Sequence, residues 1–113
     1  MSAGPALAVV VLERDSVAEV LLAGELDAEA EAVLRPAVTR ILIDPRVRRI
    51  DIDVSLVGFC DSGGLTVLIR ARAQAAGYGV QLCLVRVGPR LRQVLNLTGL
   101  WDVFDCTGAE DAP

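Results

Sequence analysis

Hydrophobic and polar positions alternate, then regroup at helical spacing, then alternate again along this chain. Ala6–Leu12 is an apolar run rich in β-branched residues and Val17–Ala23 is a second. The short polar stretch Glu13–Ser16 between them suits a hairpin connection. Ala30, Val33, Leu34, Ala37 and Ile41 recur three and four residues apart, which predicts one buried face of a helix. Asp27 is placed to cap that helix, with Glu29 and Glu31 in its first turns. Pro36 predicts a kink or restart inside it, because an interior proline loses a backbone hydrogen bond.

Ile50, Ile52 and Val54 then alternate with Asp51 and Asp53, the period of a half-buried strand. Ser55–Asp61 reads as a loop. A helix follows from Ser62, with Leu65, Leu68, Ile69, Ala73 and Ala76 as its apolar side and Gly77 or Gly79 as its stop. Val80–Val87 is nearly all apolar and predicts a central strand. Pro89 suits the first position of a last helix with Leu91, Val94 and Leu95 on its stripe, and Gly99 suits the position just past its end. Trp101, Val103 and Phe104 predict a short closing strand or turn, and Thr107–Pro113 a frayed tail.

The order β-β-α-β-α-β-α predicts an α/β fold, a mixed sheet of four to five strands covered by helices. The 113 residues fit a single domain, 1–113, with its core at about 7–105. No apolar run approaches the roughly 20 residues of a membrane-spanning helix. Met1–Ala6 lacks a basic segment, so no signal peptide is expected.

Composition narrows the chemistry. The net charge of −4 and the four aromatic residues argue against a nucleic-acid surface. All eleven basic residues are arginine and there is no histidine. An imidazole base, a Schiff-base lysine and a phosphate-loop lysine are therefore excluded. Cys60, Cys83 and Cys106 have no C-x-x-C spacing and suit reduced thiols in a cytosol.

Two acidic stretches carry candidate chemistry. Asp51 and Asp53 lie two apart on a strand and match the D-x-D pattern of Mg²⁺-dependent aspartyl-phosphate hydrolases, with Asp61 a possible third oxygen ligand. That chemistry also wants a lysine and the chain is short for that fold, so a solvated or helix-facing acidic strand face is the preferred reading. Asp61-Ser62-Gly63-Gly64-Leu65 opens a helix, where unpaired N–H groups and the dipole favour anions. Ser62 is a candidate phosphate carrier there; on local chemistry alone, a plain N-cap Ser or Asp is the preferred reading. Phe59 beside it fits either a partner anchor or the edge of the core. Arg46, Arg48 and Arg49 form a small basic cluster that reads as a solvated turn.

The run Asp61-Ser62-Gly63-Gly64-Leu65 resembles the D-S-[S/T]-G-L signature of the STAS-domain family of bacterial anti-sigma factor antagonists. Gly24-Glu25-Leu26-Asp27 resembles its G-E-L-D, Asp53 its acidic residue on the third strand, and Leu91–Leu100 its last helix and Thr-Gly-Leu. The resemblance runs from about Leu7 to Phe104. It implies a cytoplasmic regulatory binding module without cofactor or metal, not an enzyme. It implies Ser62 as phosphoacceptor, with Asp61, Gly63, Gly64, Phe59, Asp27 and Asp53 flanking it or meeting the partner. That partner would be an anti-sigma factor that is also a serine kinase; phosphorylation would release it and a serine phosphatase would reset the switch. The family usually has Ser or Thr where this chain has Gly63, one hydroxyl fewer at the site. A STAS role without phosphorylation, as the cytoplasmic partner of a transporter complex, is the alternative. The sequence sets no oligomeric state.

Overall fold

The computed structural model describes residues 6–108. Strands β1 (Leu7–Arg14) and β2 (Val17–Leu26) form the expected hairpin, turning at Asp15, which takes φ of 53°. A single 3₁₀ turn, Ala28–Ala30, precedes α1 (Glu31–Leu42), then come β3 (Arg49–Cys60), α2 (Ser62–Ala76), β4 (Gln81–Val85) and α3 (Pro89–Leu97). The sheet has four strands in the order β1-β2-β3-β4. The first pair is antiparallel and the other two are parallel.

Successive parallel strands step in one direction across this sheet, so right-handed crossovers place α1 and α2 on the same face. Burial agrees. Ala18, Val20 and Leu22 of β2, Ile50, Ile52 and Val54 of β3, and Leu82 and Leu84 of β4 are all buried. They form the core with Leu34, Val38 and Ile41 of α1 and Leu68, Ala71 and Ala75 of α2. The alternate residues of β1, Val10 and Leu12, are exposed on the other face.

Several expectations need correction. Ser55–Asp61 is not a loop: β3 continues to Cys60, pairing with β2 across two irregularities. The sheet ladder supplies there what local sequence does not advertise. The buried stripe of α2 runs through Gly64, Leu65, Val67, Leu68, Ala71 and Ala75, while Ile69, Ala73 and Ala76 are not part of it. With alanines all round, the sequence sets this helix's rotation poorly. Pro36 does not break α1. Pro36 is exposed, so the backbone around the missing donor lies on the wet side. The strand near Val80–Val87 spans only Gln81–Val85, and it is an edge strand rather than central. Its outer side is covered by the chain end: Thr107 N–H donates to Leu84 O (3.0 Å), and Val87 N–H to Thr107 O (3.0 Å). Thr107 and Gly108 are therefore held in place, Gly108 bridging to Val87; the rest of the tail expected to fray lies outside the described residues.

Candidate functional site

Two corners of the chain meet at the C-terminal ends of β2 and β3. Gly24 has φ of +122°, a conformation that side chains resist, and a Cβ there would strike the Ala6 carbonyl oxygen. This lets β2 bulge and continue through Leu26, which pairs with Cys60. Asp61 N–H then donates to Leu26 O (3.3 Å). Gly64 packs so closely that a Cβ would collide with the Leu26 carbonyl. Gly63 lies against Ala28, where a Cβ would come within 3.0 Å of the backbone nitrogen. The two glycines dock the start of α2 on the turn after β2, so the two motifs separated in sequence form one surface.

Within that surface, Asp61 is the N-cap of α2. Its carboxylate accepts from Gly64 N–H (2.9 Å), and its carbonyl accepts from Leu65 N–H (3.0 Å). Asp27 does the same work for the 3₁₀ turn, accepting from Glu29 N–H (3.0 Å). Ser62 occupies the first helical position and is exposed. Its carbonyl accepts from the Thr66 hydroxyl (3.0 Å). Because the capping bonds use Gly64 and Leu65, the amides of Ser62 and Gly63 precede the helical ladder at its positive end. Burial, then the Asp61 charge, pushes the Cys60 thiol up to about 11, so at neutral pH it is not a thiolate nucleophile.

Phe59 is 52% exposed at the end of β3. It borders a groove of about 250 Å³ whose far wall is Arg90, Leu91, Gln93 and Val94 of α3. Sequence reasoning passed over this wall, since only the last helix's buried stripe stood out. Leu91 and Val94 are only partly buried, and no local feature of the sequence marks that incomplete cover.

Asp53 stands apart from this cluster. It is 6% exposed, accepts from Ser55 N–H (2.9 Å) and pairs with Arg86 at 3.3 Å. Roughly 25 Å of extended strand separates it from Asp61. Asp51 is engaged by Arg49 at 3.0 Å. Asp61 thus does not join Asp51 and Asp53, and no group of three or more His, Cys, Asp or Glu able to hold a metal occurs among the described residues. Arg46 of the basic turn is paired to Asp44 at 2.9 Å.

Known proteins share this fold. Residues 10–105 match the family model described as "Mlab, STAS domain". The chain is 32% identical over 104 residues to the anti-sigma-F factor antagonist RsfB of Mycobacterium tuberculosis, covering 92% of this chain and 84% of the relative. Its fold is similar to the crystal structure of an anti-sigma factor antagonist from Mycobacterium paratuberculosis, with TM-score 0.75, 28% identity, and coverage of 94% and 89% of the two chains. It is also similar to the Bacillus cell fate determinant SpoIIAA in its phosphorylated form, with TM-score 0.68 at 20% identity over 89% of this chain and 90% of that one.

Proposed function

The chain belongs to the STAS-domain family, and from that premise we propose that it is a cytoplasmic anti-sigma factor antagonist switched by phosphorylation at Ser62. On this reading the unmodified domain binds an anti-sigma factor that is also a serine kinase, and so regulates transcription indirectly. It acts by binding and catalyses no reaction itself. A serine phosphatase restores the binding form.

The observation that carries the reading is the exposed Ser62 hydroxyl at the first position of α2, next to the capping Asp61. A kinase can reach this hydroxyl without unfolding anything. Phosphorylation adds about −1.5 to −2 charge. That charge enters a surface already carrying Asp61, with Asp27 and Glu29 on either side of the Ala28 that Gly63 touches. A partner face shaped for a neutral hydroxyl would lose a hydrogen bond and meet a concentrated negative patch. A loss of about 3 kcal/mol weakens binding more than a hundredfold, so release needs no backbone movement. Phe59 and the groove behind it offer an apolar anchor beside the switch.

The test is phosphate transfer from labelled ATP in a lysate of the host, with Ser62→Ala as control. Label lost in the variant supports the switch. Absence of label on folded wild-type protein, in a lysate that phosphorylates another substrate, overturns it in favour of a constitutive STAS binding module such as a transporter partner. Partner affinity gives a second readout: Ser62→Ala retains binding and Ser62→Asp weakens it.

A further inference from the structure

The two edges of the sheet are finished differently. Outside β4, residues 107 and 108 supply backbone partners. Outside β1 no strand lies among the described residues. β1 is eight residues long, pairs with β2 without a register shift, and contains no proline, glycine or lysine. Its charges sit only at its end, Glu13 and Arg14. Natural proteins usually blunt such an edge with a bulge, a charge or a cover. Here it is apolar on both sides. Val10 and Leu12 are 55% and 42% exposed on the open face of the sheet. On the helix face a groove of about 360 Å³ runs beside Val9 and Val11, walled by Val33, Pro36, Ala37 and Arg40 of α1.

We propose that β1 pairs with β1 of a second copy of this chain, antiparallel about a two-fold axis through Val10. The pattern favours a second copy because the strand is complementary to itself. Residues paired across a two-fold seam must lie on the same face, so the register joins residues of equal parity. With Val10 opposite Val10 of the second copy, Ala8 meets Leu12 on the open face and Val9 meets Val11 on the helix face. No like charges oppose one another, since Glu13 falls against Leu7 and Arg14 against Ala6. Centring on Val11 instead would set Ala8 against Arg14 and Val9 against Glu13. The strand and the α1 residues beside it amount to about half the roughly 20–30 residues per side of a standard interface, so the dimer is weak and concentration-dependent.

Sedimentation velocity from about 5 to about 500 µM, with Val10→Lys and Val10→Asp as variants, tests the pairing. Val10 is more than half exposed, so both variants keep the fold, checked by circular dichroism. Wild type shifts to dimer with rising concentration. Each variant alone puts like charges opposite each other and weakens association by about tenfold or more. An equimolar mixture of the two restores it. Amides of β1 in the wild type gain exchange protection as concentration rises. A wild type that stays monomeric overturns the proposal, as do variants that associate like wild type. So does a mixture that stays monomeric, or concentration-dependent protection that spares β1.

Discussion

The acidic residues on β3 and the one just past its end have opposite fates. Near its start, Asp51 and Asp53 are each held by an arginine, Arg49 and Arg86, and Asp53 is also tied to the Ser55 amide. Just past its end, Asp61 is satisfied by the first turn of α2, which leaves the neighbouring Ser62 hydroxyl exposed. The first pair commits its charge to the fold. The second arrangement commits only the carboxylate to the fold and leaves Ser62 exposed beside it. An acid-rich motif is thus informative about function only once its partners are known.

Substitutions at three positions sharpen this contrast. The largest effect is expected from Gly64→Ala. The added methyl collides with the Leu26 carbonyl, which is backbone and cannot step aside. The result is a loss of about 3 kcal/mol, read as a lower urea midpoint, with partner binding lost as the two corners separate. Wild-type stability in this variant would show that the corners do not depend on that contact.

Next, Asp53→Ala leaves Arg86 and the Ser55 amide without their acceptor. Arg86 is half exposed and can rehydrate, so the expected cost is about 1–2 kcal/mol, with unchanged affinity for the partner. A clear fall in affinity at unchanged stability would move Asp53 from the scaffold to the interface.

The smallest effect separates cap from charge at Asp61. Asp61→Ala removes the acceptor of Gly64 N–H and costs about 1 kcal/mol, whereas Asp61→Asn still caps and leaves thermal stability nearly unchanged. If the negative charge itself matters to the partner or kinase, Asp61→Asn alters binding or phosphorylation all the same. Equal behaviour of Asp61→Asn and wild type in both assays would reduce Asp61 to a cap.

The hairpin, the three helices, the parallel crossovers and the capped start of α2 are legible in the sequence, because each leaves a local mark: alternation, 3.6-residue spacing, or a capping residue. Asp61 and Ser62 can be placed at a helix start for the same reason. The groove behind Phe59 is not legible, since β3 and α3 meet only through the fold. The length of β3 is hidden too, because Ser55–Cys60 resembles a loop until β2 lies beside it.

What the sequence determined by itself is thus the order of elements, the chemistry that is excluded and the position of the candidate hydroxyl at a helix start. Periodicity, composition and capping are properties of short windows. Tertiary structure alone decided that Gly24 and Gly64 serve close approaches of backbone to backbone, and that Asp53 is buried and paired with Arg86. It also decided that β4 is a covered edge, while no strand lies outside β1 among the described residues. Those outcomes depend on which distant segment arrives alongside, and no short window of the chain contains that information.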